Sequence, residues 1–165
     1  MILAIDPGNK ESAYAVLDNN LKPINFGKIP NEQMREYLIK HKADIDHMTI
    51  EMVGHYGTGM PAGKEIFDTC VWIGRYIEVA PVYPTLILRK TVVTNLCNSS
   101  KGNDSAVIQA LIDRFAYGVP NKGKGVVNKK INQPGWFYGF SADIWQAYAI
   151  GVTFHDIYLK QEAIR

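Results

Sequence analysis

Glu51 stands in the middle of an apolar run, Met48-Thr49-Ile50-Glu51-Met52-Val53, and this one residue limits what the chain can build. A run of this length rich in apolar residues reads as a buried strand. A carboxylate on such a strand loses its hydration unless a cation or hydrogen bonds take the place of the water. The fold must therefore bring compensating groups to this strand. Two further acids are placed in a comparable way. Asp6 closes the apolar run Met1 to Ile5 just before Pro7-Gly8, and Asp143 lies in the first turn of a mostly apolar helix. Both have a purely structural use as well, Asp6 as the cap of the Pro-Gly turn and Asp143 as a favourable charge at a helix N-terminus beside a Ser141 cap. Glu51 has no such local use. A divalent metal ion held between carboxylates would replace the missing water at all three.

The remaining pattern supplies the framework. Met1 to Ile5 and Ser12 to Leu17 read as a hairpin, with a third strand at Pro23 to Ile29. Met34, Leu38 and Ile39 recur at helical spacing in Asn31 to Lys42 behind a capping Asn31, and the strand containing Glu51 follows. Gly54 to Gly63 is a glycine-rich loop, and Lys64 to Ala80 is a helix with Ile66, Cys70, Ile73 and Ile77 on one face. A short strand at Thr85 to Leu88, helices at Lys90 to Leu96 and Asp104 to Tyr117, and a long closing helix at Ser141 to Leu159 complete the order. Gly118 to Pro134, rich in Gly, Asn and Lys, reads as a mobile loop. At 165 residues and 47% hydrophobic content, the expectation is one domain, 1–165, of α/β class, a mixed sheet flanked by helices.

Composition narrows the setting. The most apolar stretches, 48–53 and 147–154, fall far short of the ~20 residues of a membrane span, and the N-terminus carries no basic leader. The expectation is a soluble, cytoplasmic protein with no membrane partner. Cys70 and Cys97 lie far apart without metal-ligand spacing, which argues against a zinc site or a disulfide framework and predicts buried thiols. The net charge of +2 conceals an asymmetry, since residues 1–83 hold 8 Lys/Arg against 11 Asp/Glu and residues 84–165 hold 10 against 5. Arg114, Lys122, Lys124, Lys129 and Lys130 fall in a stretch, Arg114 to Ala142, that has no acid. Such an asymmetry predicts a side that faces a polyanion.

An acid on the first strand, a second on the strand after the first helix and a third opening the last helix is an order that resembles the ribonuclease H-like nucleases. More closely, the chain resembles the RuvC-type Holliday junction resolvases and their phage-encoded relatives. Ile2-Leu3-Ala4-Ile5-Asp6-Pro7-Gly8 is similar to that family's opening strand and turn, and Thr49-Ile50-Glu51-Met52-Val53 to its second acidic strand. Arg89-Lys90-Thr91-Val92-Val93, with Lys101 and Val107, is similar to the stretch where RuvC proteins place DNA-contacting bases. Asp143 with Gln146-Ala147-Tyr148-Ala149-Ile150 resembles the final acidic helix.

The resemblance implies a ribonuclease H-like fold and an endonuclease that cuts branched DNA such as Holliday junctions. Asp6, Glu51 and Asp143 would hold one or two Mg²⁺ ions, with Mn²⁺ as the other suitable ion, and a homodimer would present two sites to a two-fold junction. Arg89, Lys90, Lys101, Lys122, Lys124, Lys129 and Lys130 would grip backbone phosphates. The excess apolar residues Phe67, Val71 and Trp72 make the helix Lys64 to Ala80 the expected dimer interface. If the chain is phage-encoded, its place is the host cytoplasm.

Two departures stand out. The family's last helix carries two metal-binding residues three apart; here the second place falls on Gln146, or on Phe140 in the other register. The family's junction-entering aromatic falls on Gly54, with His55 or Tyr56 as replacements. Trp136, Phe137, Tyr138 and Phe140 either stack on bases or anchor the basic loop to the core. Two other readings remain open: a junction-binding protein with impaired catalysis, and a ribonuclease H-like enzyme acting on RNA/DNA hybrids.

Overall fold

A computed structural model describes residues 1–54 and 63–160. Strands β1 (Ile2–Asp6), β2 (Glu11–Leu17) and β3 (Pro23–Pro30) form an antiparallel meander, followed by helix α1 (Asn31–Lys40). Strand β4 (His47–Met52) returns parallel to β1, helix α2 (Lys64–Val79) crosses over, and β5 (Thr85–Leu88) pairs parallel to β4. The five-stranded sheet thus has the order β3-β2-β1-β4-β5. Helices α3 (Arg89–Cys97), α4 (Asp104–Phe115) and α5 (Ile144–Phe154) complete the framework, and the last continues as a π-helical stretch, His155–Leu159.

The alternation of strand residues divides the core in two. On one face Leu3, Ile5, Val16, Met48 and Ile50 pack against Met34 and Leu38 of α1 and Ile73 and Tyr76 of α2. On the other, Ile2, Ala4, Ala13, Ala15 and Ile87 meet α3, α4 and α5. Helix α5 is buried on every side, and Gln146 is its one residue that is not. Such a helix must approach the sheet closely, and Gly151 permits it: a Cβ there would stand 2.9 Å from Leu17 Cδ1 and 3.2 Å from Ala4 Cβ.

The mixed sheet flanked by helices agrees with the expectation, and the differences are local. Asn31 opens α1 but does not cap it; the cap position is Pro30, without a side-chain bond, because the Asn31 side chain is turned into the interior. Helix α5 begins at Ile144, not Ser141, since Ala142 has φ +40° and interrupts the helical path. Within 118–134 the chain forms a hairpin of β6 (Gly125–Val127) and β7 (Asn132–Pro134). Its turn is built by Asn128, whose side chain accepts from the Lys130 and Ile131 amides. Cys70 and Cys97 are free and only half-buried. The first turns of α2 stand clear of the sheet, which leaves Ile66, Phe67 and Val71 exposed. Among the described residues no helix is long and apolar enough to cross a membrane.

Candidate active site

The pairing of β1 with β4 runs in register from Ile2 opposite His47 to Ile5 opposite Ile50. The next residues, Asp6, the last of β1, and Glu51, the last but one of β4, therefore stand side by side on neighbouring parallel strands. The two-residue period turns Asp6 to the face of Ile2 and Ala4, and Glu51 to that of its β5 partner Ile87, which is the face covered by α5. Beyond Asp6 the chain turns back so tightly that a Cβ at Gly8 would lie 2.4 Å from the Glu11 carbonyl oxygen. A buried polar cluster holds this turn from behind. Asn31 Nδ2 donates to the Gly8 carbonyl at 2.9 Å, Ser12 Oγ donates to Asn31 Oδ1 at 2.7 Å, and Ser12 Oγ lies 2.9 Å from Tyr76 Oη. Burial lifts the Tyr76 phenol to about 12, so it remains a neutral hydrogen-bonding group.

Asp143 occupies the residue before α5, but its carboxylate caps nothing there. It accepts instead from Lys28 Nζ of β3, at 2.6 Å. On the other side, Arg89 is the first residue of α3 directly after β5. Its Nη1 donates to Gln146 Oε1 and its Nη2 to Asp104, the first residue of α4. Two clefts meet at Asp6, one of about 450 Å³ bordered by Lys28 and Asp143, the other of about 230 Å³ bordered by Glu51 and Gly54.

The electrostatics follow from this crowding. Burial, then the charges of Glu51 and Asp143, push the Asp6 carboxyl up to about 8, against the opposing pull of Arg89 and Lys28. Burial also raises Glu51, with Arg89 again pulling the other way. Glu51 Oε2 is buried and has no hydrogen-bond partner. Hard oxygen donors at a solvent-reaching cleft, one of them orphaned, are the donor set that Mg²⁺ or Mn²⁺ takes. The described side chains do not already converge on one ion: no three of His, Cys, Asp or Glu stand close enough together to hold it. Asp143 is drawn to Lys28 and Arg89 lies near Glu51, so two internal cations balance the acids in this state.

The structure thus brings Asp6, Glu51 and Asp143 to one place, with Arg89 among them. The Arg89 side chain is only 18% exposed and is bonded at both terminal nitrogens, unlike a free surface base. Lys90, Lys101, Lys122, Lys129 and Lys130 are exposed and Lys124 is half-buried. Phe140 is packed among Phe26, Phe137, Trp145 and Tyr148, which leaves Gln146 as the residue one turn from Asp143. Phe137 and Phe140 are anchors in the core, Trp136 stacks on Phe115 and donates to Tyr148 Oη, and only Tyr138 is exposed. His55 and Tyr56 lie outside the described residues. Sequence reasoning missed Lys28 and Asp104. The first is a single base on an edge strand and the second resembles an ordinary helix-start acid, so neither is anomalous locally.

No family model and no curated protein sequence matches the chain. Solved structures do. RuvC of T. thermophilus in complex with a Holliday junction substrate aligns over 98% of this chain and 95% of its own, with a TM-score of 0.65 at 12% identity. A second Thermus thermophilus RuvC structure aligns over 98% and 96%, with a TM-score of 0.61 at 10% identity. The order of the strands and the placing of helices on both faces are therefore those of a known scaffold, and the chain carries the ribonuclease H-like α/β fold of RuvC.

Proposed function

We propose that this chain is a metal-dependent endonuclease that cleaves branched DNA such as Holliday junctions. The observation that carries the proposal is the pair of strand-end carboxylates, Asp6 and Glu51, crowded together at an open cleft with Glu51 Oε2 buried and unpartnered. A site without catalysis gains nothing from so costly an arrangement. The likeness to a RuvC solved with junction DNA supports the choice of substrate.

Asp6, Glu51 and Asp143 would hold the Mg²⁺ or Mn²⁺. When bound, such an ion lowers the pKa of an attacking water and offsets the charge of the scissile phosphate. The chain's own residues do the rest. The Ser12, Asn31 and Tyr76 cluster fixes the turn that orients Asp6, and Lys28 lines the same cleft with its ammonium paired to Asp143, from which a phosphate or an ion on Asp143 would draw it. Lys90, Lys101, Lys122 and Lys124, and the hairpin-turn lysines Lys129 and Lys130, supply a sequence-independent grip on the backbone. The exposed Phe67 and Val71 of α2 support a homodimer, which suits a two-fold substrate.

The test is cleavage of four-way junction, flap, linear duplex and RNA/DNA hybrid in Mg²⁺, by the wild type and by Asp6→Asn, Glu51→Gln and Asp143→Asn. We expect cutting of branched DNA by the wild type only, with junction binding retained in the variants. Wild-type rates in any of the three overturn the site, and preferential cutting of the hybrid favours a ribonuclease H activity. Binding without cleavage by the wild type makes the chain a junction-binding protein.

A further inference from the structure

The register of the sheet lines up one row of side chains across four strands. Asp6 stands opposite Ala13, Ala13 stands opposite Lys28, and Glu51 is beside Asp6, so the row reads Glu51, Asp6, Ala13, Lys28 on the face that α5 covers. One buried alanine separates acid from base. Two strand spacings put the Asp6 and Lys28 backbones ~10 Å apart, and both side chains border the cleft of about 450 Å³ together with Asp143. Lys28 thus looks onto the carboxylates from the edge of the sheet.

Its ammonium differs in kind from the Arg89 guanidinium. Arg89 is bonded at both terminal nitrogens and largely removed from solvent. Lys28 is a flexible chain whose one ion pair among the described residues is with Asp143, and the two side chains are 39% and 48% exposed. A pair so open to water is weak and exchangeable. Asp143 is also one of the residues that would hold the metal ion, and a carboxylate that ligates a divalent ion has little charge left to retain an ammonium.

We infer that Lys28 is a phosphate-binding residue of the cleavage site, kept by Asp143 until that carboxylate is taken by an ion. This rests on the metal-dependent, branched-DNA reading above. Asp143 without an ion both retains the ammonium and repels a phosphate. Asp143 with an ion releases the ammonium at the rim of the cleft, where a strand engaged at Asp6 brings a neighbouring backbone phosphate past it. Lys28 therefore differs from an ordinary surface base such as Lys129, exposed at the hairpin turn, whose grip on DNA needs no ion.

The experiment measures junction affinity in EDTA and in Ca²⁺, an ion for the same oxygen ligands, at matched ionic strength, for wild type, Lys28→Met and Lys129→Met. Lys28→Met is expected to weaken binding about tenfold in Ca²⁺ and under about twofold in EDTA, whereas Lys129→Met loses one factor in both. Equal losses for Lys28→Met in the two buffers make Lys28 an ordinary surface base and overturn the inference, as does no loss in either. A second measurement needs no substitution. Junctions with one neutral methylphosphonate in place of a phosphate beside the cut are titrated with wild type, and at one position the loss should be about tenfold in Ca²⁺ and small in EDTA. If no position behaves so, the inference is overturned even where Lys28→Met does not fold. A wild type that prefers the junction to linear duplex in neither buffer overturns the branched-DNA reading, and the inference with it.

Discussion

Replacing Asp6 by Asn should stabilise the metal-free protein while destroying its cleavage activity, and the gain should depend on pH in a defined direction. The Asp6 carboxyl is raised from 3.8 to about 8, first by burial and then by Glu51 and Asp143. Between those values the folded chain holds a proton that the unfolded chain has released, so stability falls as pH rises through that window. Asparagine carries no such charge at any pH. From about pH 5 to about pH 8 the ceiling is three pH units at about 1.4 kcal/mol each, or ~4 kcal/mol. The opposing pull of Arg89 and Lys28 is already contained in that value, and the part of the carboxylate that still meets solvent in the cleft reduces the expected gain to ~1–2 kcal/mol. Urea denaturation in EDTA at the two pH values, on wild type and Asp6→Asn, measures it. The variant should be the more stable protein at the higher pH, and the gap should shrink toward the lower one. Adding Mg²⁺ at the higher pH should narrow the gap from the other side, because the ion binds only the folded wild type. A gap that does not change with pH, or a variant less stable than wild type at the higher pH, refutes the idea that a crowded, desolvated charge is stored at this strand end.

Affinity for junction DNA should fall steeply with salt, and Lys129→Ala with Lys130→Ala should lower the slope of log affinity against log salt by ~1 for each phosphate no longer neutralised. Titrations at several salt concentrations read this directly, and an unchanged slope removes the hairpin lysines from the interface. The exposed Phe67 and Val71 of α2 predict a dimer at micromolar concentration that Phe67→Glu with Val71→Glu returns to the 18.5 kDa monomer. A sedimentation profile of the monomer for the wild type, free and on junction DNA, rules the dimer out and leaves an activity that needs one cut.

Much of the fold is legible because local pattern and tertiary fate agree. The antiparallel opening strands, the apolar run around Glu51 and the strand Thr85–Leu88 fall where alternation and turn residues place them. The failures share a cause. Asn31 has the look of a helix cap, but a tertiary partner prevails over the local one, since its amide is needed behind Gly8. The 118–134 segment reads as a loop from its Gly, Asn and Lys content, yet a single Asn128 side chain closes a hairpin in it. Sequence pattern registers what a residue does with its neighbours in the chain, and it is silent where a polar side chain is claimed by a residue far away.

The candidate site divides along the same line. Glu51 is conspicuous because an acid between Ile50 and Met52 violates the pattern around it, whereas Asp6 and Asp143 stand at the ends of apolar elements, where a turn or a helix start would also use them. The cations that answer them violate nothing. Lys28 lies on the edge strand, where a lysine is unremarked, and its partner Asp143 is 115 residues away. Arg89 begins a helix and reaches Gln146 across 57 residues. Acids at the ends of β1 and β4 are tolerable only if positive charge arrives from elsewhere, and in the described state it comes from β3 and from α3. A metal ion entering this cluster therefore competes with charges the chain already supplies. Metal affinity here is consequently a property of Lys28 and Arg89 as much as of the three carboxylates, and a search for ligands alone would have passed over the residues that set it.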